Sequence, residues 1–301
     1  MWLGLAFISA CLLGLYDLCK KISLEKNAVI PVLFLNTVFC SLIFVPLLIL
    51  SRWQPEWMQQ SIVYIPPLQP GAHLYLLLKA VIVLSSWISA YFAMKHLPIT
   101  LSAPIKATQP VLTLLGALLI FGERLNLYQW IGVLSAILSF YMLSVSGKKE
   151  GIRFAHNKWI GFIVLATVTG AISGLYDKYL LKHFDPMTVQ VWYTFYQMGI
   201  MFLILMILWY PKRKETTPFV WRNSIFFISL FLTLADFVYF YALSYPDSMI
   251  SIVSMVRRSS VVVSFMGGAL LLREKNIRSK VPDLVLVLVG MLFLYLGSRL
   301  N

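Results

Sequence analysis

Apolar residues in this chain neither alternate nor recur at helical spacing. They come in near-continuous runs, each ended by charge, proline or glycine, as in "VLTLLGALLIF" at 111–121. Ten such runs occur, at approximately 2–20, 28–50, 73–94, 99–121, 128–146, 159–181, 187–210, 223–245, 249–272 and 281–298. About 20 apolar residues, at about 1.5 Å rise each, cross a hydrocarbon core about 30 Å thick. Within that core the backbone must satisfy its own hydrogen bonds, so each run is expected to be a helix. A transmembrane barrel would need alternating strands of about ten residues, and these runs do not alternate.

The pattern also repeats. "GLYD" at Gly14 to Asp17 returns letter for letter at Gly174 to Asp177, each time with a small residue four positions before the glycine. "YFAMKHLP" from Tyr91 pairs with "YFYALSYP" from Tyr239, and "GALLIFGER" from Gly116 pairs with "GGALLLREK" from Gly267. The chain therefore reads as two five-helix repeats, 1–147 and 159–301, joined by a cationic linker at 148–158. Five is odd, so the second repeat enters the membrane from the opposite side. Inverted repeats of this kind are a plan of secondary transporters, with the substrate near the midplane at the repeat interface.

On these residues the chain resembles EamA-type carriers of the drug/metabolite transporter superfamily. The resemblance rests on "GLYDLCKK", on "FDPMTVQVWYTF" in the second half, on the Tyr-rich third runs closing at Pro98 and Pro246, and on the Gly122-Glu123 turn. In the second half that turn becomes "LREK", which keeps Glu274 and loses the glycine. What the resemblance implies is an all-α integral membrane protein, ten transmembrane helices around a central cavity, that moves metabolites by alternating access. It further implies termini inside the cell.

Composition agrees with membrane residence. The 301 residues are 59% hydrophobic and 12% charged, about half the charged share of a soluble domain. The net charge of +13 does not mark a nucleic-acid binder, because the bases sit in short connections. Sixteen Lys and Arg fall in the odd-numbered connections and four in the even ones or at the end of the last run. By the positive-inside rule the odd connections face the cytoplasm and both termini face out, against the family expectation. The reading follows this chain's charges and places it in a bacterial inner membrane. The first run lacks a basic leader and an A-x-A-like site, so it is read as a retained helix.

Ionisable groups deep in a span are functional candidates by default. Lys79, Lys106, Asp236, Arg257 and Arg258 are the deepest. Lys106 and Arg257 lie seventeen positions before Glu123 and Glu274 respectively, so they are repeat partners. Together they predict a pseudo-symmetric cationic patch that binds a carboxylate or phosphate, Arg through a bidentate fork and Lys as a point charge. Pro104 and Pro110 predict a break in the fourth helix, with Gln109 beside it. Asp236 is read either as a protonatable coupling group or as a fixed counter-ion for Lys79 or an Arg. Trp87, Tyr91 and Tyr239 flank these positions as pocket or packing residues.

Gly14 with Asp17 and Gly174 with Asp177 each share one helix face. Small residues four apart admit a close helix neighbour. The two Asp are read as gate latches, or as ion-paired with Lys20, Lys21 and Lys178 near helix ends. No metal or cofactor is expected: Cys11, Cys19 and Cys40 lack metal-ligand spacing, and no H-E-x-x-H or G-x-S-x-G motif occurs. The expected activity is a secondary transporter of a small anionic or zwitterionic metabolite, possible proton coupling included, acting as a monomer among membrane lipids. A lipid-headgroup flippase is the first alternative. A membrane enzyme using Asp17 and Asp177 is the weaker one.

Overall fold

The structure is a computed structural model that describes residues 2–113, 115, 126–148, 156–181, 183–243, 245, 253, 256–274 and 277–299. Among these no strand occurs; the chain is helical with short connections. The helices are α1 (Trp2–Leu24), α2 (Val29–Trp53), α3 (Ala72–His96), α4 (Ile99–Ala107), α5 (Leu127–Lys148), α6 (Lys158–Leu180), α7 (Pro186–Ile204), α8 (Ser224–Leu243), α9 (Ser260–Leu270) and α10 (Ile277–Arg299). A single helical turn, Pro55–Met58, follows α2.

Seven of them, α1, α2, α3, α6, α7, α8 and α10, are long and apolar enough to cross a membrane. The expected fourth and ninth runs are represented by α4 and α9, and the rest of each lies partly outside the described residues, as do Gly116–Arg124, Pro246 and linker residues 149–155.

Local chemistry explains the helix limits. Asp185 caps α7 by accepting from the N–H groups of Met187 at 2.9 Å and Thr188 at 3.2 Å, with Pro186 at the first helical position. Asn157 caps α6 through Trp159 N–H at 2.9 Å. The last turn of α7 widens into a π-helix over Leu205–Trp209, just before Pro211 and the basic stretch "KRK" end the apolar run.

Polarity runs inside out relative to a soluble domain. Lys20, Lys79, Asp17 and Lys280 are buried, whereas Leu127 and Ile207 are about 70% exposed. Buried charge with an apolar exterior is what a lipid environment selects.

Packing exchanges neighbours between the two halves. Helix α1 lies against α8 and α9, while α6 lies against α3 and α4. Similarly α2 contacts α3 and α8, while α7 contacts α8 and α3; α2–α7, α4–α9 and α5–α10 are also neighbours. Close approach of α1 to α9 depends on Gly14, where an added Cβ would stand 2.4 Å from the Val263 Cβ and 3.1 Å from the Ser260 carbonyl. Among the described residues Gly174 does not repeat this role, since no atom outside its own helix lies within 4 Å of that position.

Candidate functional site

Helices α1, α3, α4, α6, α7 and α8 and the helical residues 256–258 before α9 bring the deep charges together in three connected clusters. In the first, Lys20 Nζ lies 2.5 Å from Asp17 Oδ1 and Lys106 Nζ lies 3.3 Å from the same oxygen. Lys20 also sits 4.2 Å from the Tyr16 ring centroid and 5.2 Å from that of Tyr91, so cation–π attraction helps hold it in place. In the second, Lys79 Nζ lies 2.5 Å from Asp177 Oδ1 and donates to the Ser173 hydroxyl at 2.6 Å.

In the third, the Arg257 guanidinium pairs with Asp236 and lies 4.2 Å from the Tyr239 ring centroid. Tyr193 joins the last two clusters: its hydroxyl donates to Asp236 Oδ2 at 3.2 Å, and its ring lies 5.9 Å from Lys79 Nζ. Arg258 stands within electrostatic reach of Asp17, Asp236 and Arg257 and so connects the first cluster to the third.

These positions correct several sequence expectations. Asp177 pairs with Lys79 across helices; the Lys178 side chain lies outside the described residues. Lys21 leaves Asp17 alone and donates to the carbonyls of Met94, at 2.7 Å, and Leu97. Lys20, counted with the first connection, lies inside α1 and is buried. Asp236 pairs with Arg257, which fits the counter-ion reading with an Arg rather than with Lys79. Of the aromatics, Tyr91 is fully buried under Lys20 and Tyr239 stacks on Arg257, whereas Trp87 packs against the apolar core.

The expected break in α4 is present and has a counterpart. Helix α4 ends at Ala107, Thr108 forms a turn, and helix resumes at Gln109. Pro110 contributes by lacking an N–H for the Lys106 carbonyl. In the second half Ser259 interrupts the helix between residues 256–258 and α9.

The two breaks share their hydrogen bonds. Thr108 donates its hydroxyl to the Ile105 carbonyl at 2.7 Å, and Ser259 donates its own to the Val256 carbonyl at 2.6 Å. Backbone N–H groups of Thr108 and Val111 bond to Ile105 and Thr108, and those of Ser259 and Val262 bond to Val256 and Ser259. Each break follows its repeat's cation, Lys106 or Arg257, by two positions. Gln109 is buried next to the first break and packs on Gly170 of α6.

One end of the bundle is tied by polar contacts between odd-numbered connections. The Glu274 carboxylate accepts from the N–H groups of Ile99 at 2.6 Å and Thr100 at 2.9 Å and from the Thr100 hydroxyl at 2.5 Å, so the second half caps α4 of the first. Lys280 donates to Thr100 at 2.8 Å. Arg222 donates to the Ile22 carbonyl at 2.8 Å, and Asn27 exchanges hydrogen bonds with the backbone of Val220.

Sequence reasoning named Lys20 as a partner of Asp17, one turn away, and the structure pairs them; it missed the roles of Tyr16, Tyr193, Ser173, Ser259 and Glu274. One of these left a readable signal: Ser259 stands at the repeat position of Thr108.

An apolar cavity of about 200 Å³ is lined by Ile105, Thr108, Val111, Leu115, Ile137, Val164 and Val168 among others. Among the described residues that line it none is ionisable. The buried charge clusters, rather than this cavity, are the chemically equipped centre. Among the described residues no group of His, Cys, Asp and Glu could hold a metal ion.

An all-helical, multi-pass membrane protein with an ion-paired interior and doubled broken helices belongs to the class of membrane transporters. The model of the EamA-like transporter family matches residues 1–145 and 157–296, and the chain belongs to that family, within the drug/metabolite transporter superfamily. No curated protein sequence matches the chain. A solved structure, titled only "Crystal structure of protein", is similar over 99% of this chain and 99% of its own, with a TM-score of 0.64 at 14% identity. That likeness concerns the fold alone.

Proposed function

We propose that the protein is a secondary transporter that carries a small anionic or zwitterionic metabolite by alternating access between two inverted five-helix halves, 1–147 and 159–301. The observation that carries this reading is the pair of matched helix breaks at Thr108 and Ser259, each placing its repeat's cation in the buried centre. Discontinuous helices that meet near the midplane are where such carriers bind substrate. The exchange of helix neighbours between the halves supports the inversion. The odd-numbered connections face the cytoplasm on the charge count.

In this scheme Lys106, Arg257 and Arg258 bind the substrate's anionic group, and Gln109 and Lys79 border the site. Tyr91 and Tyr239 hold the cations in place. Asp236, held by Arg257 and Tyr193, is the candidate for coupling to protons, and Asp17 and Asp177 latch the pathway through Lys106 and Lys79. Flux in proteoliposomes tests the scheme. Lys106→Ala and Arg257→Ala are expected to abolish transport while the protein remains folded in the bilayer, and normal flux in both would refute it.

A flippase for lipid headgroups is the second reading. The apolar cavity between α4, α5 and α6 favours it, because a lipid tail needs such a surface beside the polar path. Transfer of a fluorescent lipid between leaflets, absent without the protein, would select it. The enzyme reading is set aside: Asp17 and Asp177 are each held by lysines in separate clusters, and the family consists of transporters.

A further inference from the structure

Among the described residues the centre contains five cations, Lys20, Lys79, Lys106, Arg257 and Arg258, and three carboxylates, Asp17, Asp177 and Asp236. The pairing shows where the surplus lies. Lys79 is matched one to one by Asp177, and Arg257 by Asp236. Asp17 must serve both Lys20 and Lys106. Arg258 has no hydrogen-bond or ion-pair partner among the described residues, although Asp17 and Asp236 lie within its electrostatic reach. Lys280 and Asp283, buried in α10, add one charge of each sign and leave the difference unchanged.

Two positive charges without their own counter-ions among the described residues are costly in a low-dielectric interior, where each missing partner leaves the desolvation of the ion uncompensated. One is shared by Lys20 and Lys106, on the first repeat's side of the centre. The other is Arg258, one residue before the second repeat's break. We infer that the substrate is a doubly charged anion, a dicarboxylate or a phosphate monoester, whose two charges are received by Lys106 and Arg258. This rests on reading the centre as the substrate site. A monoanion leaves one cation unmatched, and a zwitterion matches one cation but brings its own, so two positive charges stay unmatched. Arg258 offers a planar fork for one carboxylate or phosphate face, and Lys106 supplies a point charge for the other.

The test is binding by purified, detergent-solubilised protein, using probes matched in size and different in valence: succinate against butyrate, and glycerol phosphate against its singly charged methyl phosphodiester. Succinate and glycerol phosphate are expected to bind about tenfold or more tighter than their monovalent partners, since an unmatched buried charge costs well over the energy of a tenfold change in affinity. Arg258→Gln is expected to remove most of that preference, Arg258→Lys to keep it, and Asp17→Asn to strengthen it. Lys106→Gln makes the same change of charge from the first repeat, should Arg258→Gln fail to fold.

Equal affinity for succinate and butyrate, or a preference unchanged in both Gln variants, overturns the inference and leaves the anion-carrier reading standing. Failure of every anion to bind, with zwitterionic or cationic probes binding instead, overturns both.

Discussion

At the scale of single residues, the interior is governed by which charge has a partner. Asp236→Asn or Arg257→Gln alone leaves a buried ion uncompensated and is expected to cost about 3–5 kcal/mol. The double variant, which removes both charges, is expected to recover most of the loss; thermal unfolding in detergent measures it. Gly14→Leu forces side-chain atoms into Val263 and Ser260 at the α1–α9 contact. It is expected to destabilise by about 1–3 kcal/mol, while Gly174→Ala, facing open space, stays near wild type in the same assay. The identity of the deep ionisable residues was legible in the sequence because ions are rare in lipid. Their partners were not: Lys79 and Asp177 are 98 positions apart, and only the fold reveals that α3 and α6 lie side by side.

At the scale of elements, the apolar runs announced the long helices, since hydrocarbon leaves the backbone few alternatives. Proline announced the break in α4 for an equally local reason. The break at Ser259 carries no proline, and its signal was only positional. Glu274 was legible as a turn residue, but its capping of α4 was not, because a cap donated by another repeat leaves no local pattern. Glu274→Ala removes the acceptor for two N–H groups and a hydroxyl and is expected to loosen this end by about 1 kcal/mol. In a background without Cys11, Cys19 and Cys40, a cysteine at Leu97, buried in the wild type, should then react faster with an impermeant maleimide. An unchanged rate would show that Glu274 does not hold the mouth shut.

At the scale of the whole molecule, the uneven distribution of Lys and Arg predicts that a reporter inserted after Lys149 reads cytoplasmic; an external signal would reverse the orientation and place both termini inside. The twin breaks bear on a different property, the direction of flux. Hinges closed by the same hydroxyl-to-carbonyl and backbone bonds bend at similar cost, so on the carrier reading neither mouth is inherently the harder to open. Such a molecule is a reversible valve: whether the cell uses it to import or to export is decided by the gradients it is given, not by a ratchet in its own structure.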